Sequence, residues 1–186
     1  MLQPARNNMF EFFFSKTLVP DEINDKYMPY LQRIPGTMFD RCIDYVNYGV
    51  QGFNMQNIQF DVVEQYDRKT PYSRIYRSAM SPEKLVSKEF TVTQQLYDGY
   101  INYFLMCDLF NYYYSSAEDK FINGVPFIRI FDGSGYEVFT IEFKNVLFTS
   151  IDGLDFNYSS NMIDMKTFNC TFRAQEVEIK LAVWKA

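Results

Sequence analysis

The stretch from Val125 to Arg173 limits most tightly what this chain can fold into. It reads VPFIRIFDGSGYEVFTIEFKNVLFTSIDGLDFNYSSNMIDMKTFNCTFR, and turn signals cut it at regular intervals. Asp132-Gly133-Ser134-Gly135 separates two alternating runs, the cue for a hairpin. Phe139, Ile141 and Phe143 alternate with Thr140 and Glu142, the period of a half-buried strand. Val146 to Ile151 follows, then Gly153, then Leu154 to Tyr158, which also alternates, and a Ser159-Ser160-Asn161 loop. Thr167 to Phe172 closes the series, with Phe168, Cys170 and Phe172 on one face and Asn169 and Thr171 on the other. Four or five short strands in about fifty residues predict an antiparallel meander or the wall of a small barrel.

Upstream, Met9 to Ser15 (MFEFFFS) is a short apolar run, a core strand or a partner-facing plug. Residues 16–40 hold Pro20, Pro29, Pro35 and Gly36, and that density of breakers predicts an irregular connection. Phe39, Cys42, Ile43, Val46 and Val50 fall three or four apart, one stripe of a short helix that Gly49 and Gly52 end. Asn54–Gln65, Tyr72–Met80 and Leu85–Thr93 read as strands separated by the polar turns 66–71 and 81–84. Residues 54–93 are therefore expected to form a long hairpin arm. Residues 94–115 read as the main helix, with Thr93 as N-cap, Leu96, Tyr100, Phe104 and Cys107 on the apolar face, and Asn102 on the polar side. Tyr112-Tyr113-Tyr114 resembles a base-stacking platform, but with no basic residues nearby it reads as a helix end packed on a sheet. Glu176 to Trp184 alternates Val177, Ile179 and Leu181 with charges, and reads as a final strand or a tail added to another chain's sheet. The expected organisation is one domain over 1–186: mainly β (α+β), an antiparallel barrel or sandwich flanked by one main helix. Within it lie the irregular insertion 16–50 with its short helix and the C-terminal sheet 125–173.

Several function classes lose support at this level. At net charge −5 the chain is poorly suited to gripping nucleic-acid phosphates. It has no histidine, so the commonest general base and metal ligand is missing. Cys42, Cys107 and Cys170 are far apart, without zinc spacing, and read as free buried thiols. No dinucleotide, P-loop or nucleophile-elbow motif occurs. The acidic loops at 132–135 and 152–155 lack the alternating ligands of a calcium site. No catalytic residue, cofactor or metal is therefore expected. The N-terminal residues hold no apolar run long enough for a signal peptide or membrane helix, so folding in the cytoplasm and no membrane partner are expected. The 19 Phe and 15 Tyr favour surfaces that are apolar and wet at once, as interfaces are.

The run Phe143–Asn161 (FKNVLFTSIDGLDFNYSSN) followed by Lys166–Phe172 (KTFNCTF) resembles the C-terminal half of the tail-tube proteins of contractile-tailed, T-even-like bacteriophages. Lys88–Thr93 (KEFTVT) before a helix is similar to that family's strand–helix entry, and Asn7–Phe12 sits where its first strand begins. The likeness covers roughly residues 85–173. It implies a homo-oligomer of hexameric rings stacked into a tube, partnered by tail sheath and baseplate proteins. Phage DNA would pass through the lumen without specific binding, in the tail of a virion assembled in the host cytoplasm. In that frame the inter-subunit candidates are Phe12, Tyr66, Arg68, Tyr72, Arg74, Tyr76, Arg77, Phe139, Phe156, Tyr158 and Trp184. Residues 16–50, 60–84 and 175–186 go beyond a compact tube subunit. Such additions suit a baseplate tube initiator or a ring ending the tube near the neck. The inner tube of a contractile secretion system and a monomeric ligand-binding barrel using exposed Tyr and Trp184 are the other readings.

Overall fold

The turn at 132–135 forms as its composition requires. Asp132 Oδ1 accepts hydrogen bonds from the Ser134 and Tyr136 amides, and Gly135 takes a φ of +84°. The computed structural model describes residues 9–34, 39–56, 62–66, 73–77, 88–97, 99–115, 121–154 and 166–182. Its main sheet has six antiparallel strands: β1 (Phe10–Phe13), β2 (Val50–Met55), β5 (Glu89–Gln95), β6 (Phe127–Phe131), β7 (Glu137–Ile151) and β8 (Thr167–Leu181). Their order across the sheet is β1-β6-β7-β8-β5-β2. A separate two-stranded ladder joins β3 (Val62–Tyr66) to β4 (Ser73–Arg77).

The sheet curls until its two outer strands nearly meet. The rings of Phe12 on β1 and Phe53 on β2 stack with centroids 5.4 Å apart. The side chain of Asn47 then takes the place of a missing strand partner. Its Oδ1 accepts from the Phe14 amide at 2.8 Å, and its Nδ2 donates to the Phe14 carbonyl at 3.3 Å. The result is a nearly closed barrel. Its core is aromatic: Phe90 lies 4.3 Å from Phe143, 5.3 Å from Phe172 and 5.8 Å from Phe53, centroid to centroid. Truncating a ring in such a site costs about 3–5 kcal/mol.

Three helices among the described residues pack here: α1 (Asp21–Leu31), α2 (Cys42–Tyr48) and α3 (Ile101–Tyr114). The expected irregular connection over 16–40 is corrected by α1. Pro20 precedes its first turn and Pro29 sits inside it, yet Ile23, Tyr27 and Leu31 make a buried stripe at four-residue spacing. Burial of that stripe outweighs the hydrogen bond that Pro29 removes. Tyr27 and Lys26 both donate to Asp108 Oδ2, at 2.7 and 2.5 Å, which ties α1 to α3. The short helix expected within 37–50 is α2, ended by Gly49.

The helix expected over 94–115 begins seven residues later. Thr93 is no N-cap: it, Gln94 and Gln95 continue β5, and Thr93 Oγ1 donates to Asn169. Gly99 and Tyr100 turn the chain at φ of +80° and +57° before the helix starts. The buried face is then Asn102, Leu105, Met106, Leu109 and Tyr113, while Phe104 is exposed. Asn102, expected on the polar side, is buried because it closes the strand end: its Nδ2 donates to the Gln95 carbonyl at 2.5 Å. The short strands expected in 136–151 merge into one fifteen-residue strand, β7, and Thr167–Phe172 merges with the separately expected final strand into β8. Leu154 lies outside any strand, and 155–158 lie outside the described residues. Of the strand expected over Asn54–Gln65, Asn54 and Met55 belong to β2 and Val62 to Gln65 to β3, and 57–61 lie outside the described residues.

Candidate functional site

Two apolar rows cross the sheet. One is Phe12–Ile128–Ile141–Ile179 and the other Phe10–Ile130–Phe139–Leu181, each running from β1 through β6 and β7 to β8. The first row is buried at its middle and the second half-buried there, at Ile130 and Phe139, and both are bare at the β8 end. Ile128 and Ile141 are buried, whereas Ile179 is 60% exposed and Leu181 72% exposed.

The cause is a difference in strand length. β5 pairs with β8 only from Thr167 to Arg173. The Ala174 amide makes the last bond of that ladder, to the Lys88 carbonyl, and Lys88 Nζ caps the Gln175 carbonyl at 2.6 Å. Beyond it, among the described residues, β8 pairs on one side only, with β7. The Ala182 amide donates to the Val138 carbonyl. By the alternation of an antiparallel ladder, the N–H and C=O groups of Val177, Ile179 and Leu181 therefore turn away from β7. No described strand pairs with them. An open strand edge under an exposed apolar row is a template for another strand. At the opposite end of the sheet, the Phe131 amide donates to the Met9 carbonyl, so Phe10 turns its own backbone groups outward from β1.

The other face of the β7–β8 ribbon is charged. Lys144 Nζ lies 2.7 Å from Glu178 and 3.7 Å from Glu176, and Lys180 Nζ lies 2.7 Å from Glu142. The hydrogen bond between Lys144 and Glu178 raises the lysine's pKa and lowers the carboxyl's. The interlocked pairs separate the like-charged, directly opposed Glu142 and Glu178.

The structure brings one sequence candidate into this site: Phe139, directly opposite Leu181. Phe12 is 4% exposed and belongs to the core of its own chain, against Phe14, Phe53 and Phe90. Tyr66, Arg74, Tyr76 and Arg77 occupy the β3–β4 ladder, opposite Ser73, Gln65, Val63 and Val62. Arg68, Tyr72, Phe156, Tyr158 and Trp184 lie outside the described residues. Val177, Ile179 and Leu181 are not among the inter-subunit candidates, although the segment that holds them reads as a final strand or a tail added to another chain's sheet. Their alternation marks a strand, but only the short reach of β5 exposes them.

Chemical groups are quiet. Burial pushes the Cys42 thiol up to about 11 and raises those of Cys107 and Cys170, so none is a ready thiolate at neutral pH. Among the described residues no three acidic or cysteine side chains group as a metal site, and no helix is long and apolar enough to cross a membrane.

No protein-family model matches the chain, and no curated protein matches it. Solved structures do. A chain of the anti-feeding prophage baseplate, solved by cryo-EM with six-fold symmetry, superposes with a TM-score of 0.53 at 11% identity, covering 96% of this chain and 97% of that one. A chain of the anti-feeding prophage cap, the tube-terminating cap, gives 0.52 at 13% identity, covering 98% and 94%. At such identity the likeness is one of fold. The chain has a tail-tube-like fold, as its resemblance to the tail-tube family implies.

Proposed function

We propose that this chain is a structural subunit of a contractile-tail particle, one that builds rings by joining sheets edge to edge. The observation that carries this reading is the pair of apolar rows that end bare on β8 at Ile179 and Leu181 and begin at Phe10 on β1. β1 of a second copy, laid antiparallel beside β8, continues both rows and satisfies both open edges. Head-to-tail contacts of this kind close into rings when the rotation permits. Six subunits to a ring, and rings stacked into a tail tube, follow from the resemblance to tail-tube proteins.

In this reading the mechanism is physical. In a chain of net charge −5 the tube wall holds phosphates weakly, so phage DNA slides through. Sheath and baseplate proteins are the outer partners, and the location is the tail of the virion. A second reading, a single specialised ring at the end of the tube, is favoured by the near-complete mutual coverage with the chain of the terminating cap. Light scattering and negative-stain microscopy over rising concentration test both. Stacked tubes support the first, single unstacked rings the second, and a monomer at every concentration overturns ring building.

A further inference from the structure

At Asn145 and Gln175 each strand of the β7–β8 ribbon holds an extra residue, and the two face each other; the other irregularity of this ladder, between Phe148 and Ser150, adds a residue to β7 alone. On β7, the Phe143 amide donates to the Pro126 carbonyl, so the odd residues Phe139, Ile141 and Phe143 turn towards β6. Past Asn145 the phase is reversed: the carbonyl of Val146, an even residue, accepts from Ile122 on that same side. On β8, Ala182 bonds to β7, yet Ala174, of the same parity, bonds to Lys88 on the β5 side. Side chains keep the same count. Phe143 and Val146 are both buried, with Lys144 and Asn145 between them, and Ala174 and Val177 face inward with Gln175 and Glu176 between them.

The extra residues are Asn145 and Gln175. Asn145 adopts φ +51°, a left-handed conformation that asparagine tolerates better than most side chains. Its Nδ2 donates to Gln175 Oε1 at 3.0 Å. The register is unchanged across the pair, with Lys144 opposite Glu176 and Val146 opposite Ala174. Without both residues the alternation would run unbroken, and every inward side chain would still point inward. Neither core packing nor strand pairing calls for them. An extra residue in a strand bends it and increases its twist. Here two coincide, at the level where β5 stops and the open edge begins.

We propose that Asn145 and Gln175 form a paired bend that aims the open edge of Val177, Ile179 and Leu181 at a second copy of this chain. The inference rests on the ring-building reading above, and deepens it by separating the residues that aim the contact from those that make it.

The test is the double deletion of Asn145 and Gln175 in the full chain, beside the wild type and Asn145→Gly. Glycine accepts the left-handed conformation, so Asn145→Gly should assemble as the wild type does. The double deletion should keep its far-UV spectrum and melt within a few degrees of the wild type, while its rings fall at least tenfold in abundance by negative-stain counting at equal concentration. Assembly of the double deletion at wild-type levels overturns the proposal. So does its failure to fold, because the pair would then serve the fold. A wild type that stays monomeric overturns the ring-building reading and this proposal with it, whereas wild-type rings beside equal rings of the double deletion overturn this proposal alone.

Discussion

Gln94 is fully buried on β5, and among the described residues neither its Nε2 nor its Oε1 has a hydrogen-bond partner. A buried amide left unpaired costs about 1–3 kcal/mol. Gln94→Met keeps the length of the side chain and removes both orphaned groups, so it should stabilise the chain by about 1–2 kcal/mol. A rise in the urea midpoint at constant slope is the expected result; a fall would mean that the amide is satisfied in solution. Asp108 presents the opposite case. Burial alone would raise its pKa, but the hydrogen bonds from Lys26 and Tyr27 and the lysine charge outweigh burial and hold it below the ordinary range. A lowered carboxyl contributes stability above its unfolded value, and that contribution is lost as pH falls through the folded value. Asp108→Asn should therefore lose less stability than the wild type between pH 7 and pH 3, while being weaker by roughly 0.5–1 kcal/mol at pH 7. Equal losses in the two proteins would show that the tie between α1 and α3 is not electrostatic.

At the scale of elements, β8 makes the sharpest prediction. Ile179→Glu with Leu181→Lys places charges on the bare ends of both apolar rows. Both side chains are already exposed, so the monomer should unfold within about 0.5 kcal/mol of the wild type, whereas rings should disappear from micrographs. Unchanged rings would put the contact elsewhere. The inward faces of the two long strands are legible in the sequence, because Phe139, Ile141 and Phe143 on β7, and Phe168, Cys170 and Phe172 on β8, alternate over several residues. Their continuity is not legible. Both strands change phase where Asn145 faces Gln175, β7 does so again between Phe148 and Ser150, and a periodicity reading takes a phase change for an end. The start of α3 fails for a different reason. Leu96 and Tyr100 fit its stripe, but backbone pairing of Gln94 and Gln95 with β8, and of Gln94 with Val50 of β2, holds that segment extended, and the left-handed Tyr100 sits where the stripe expects a helical turn. In α1 the apolar spacing of Ile23, Tyr27 and Leu31 was there to be read, and the prolines masked it.

At the scale of the molecule, the candidate surface is what the sequence conveyed least. Val177 to Leu181 reads as a strand, but its exposure depends on how far a strand eighty residues earlier reaches along β8. The arm expected over 54–93 contains the β3–β4 ladder, which pairs with no strand of the main sheet. If this arm bridges one ring to the next, deletion of residues 66–84 should leave a folded chain that forms rings but no longer stacks them; long tubes from that variant would overturn such a role. Closure of the barrel carries a cost in time. β1 must pair with β6, more than a hundred residues further along the chain. During synthesis the Phe-rich first strand therefore emerges on the order of ten seconds before its partner exists. Through that interval its rings have neither Phe53 nor Phe90 settled against them, and they present the kind of bare aromatic segment that holdase chaperones bind. In the cell, the yield of this protein should therefore follow chaperone supply more closely than the stability of the finished fold.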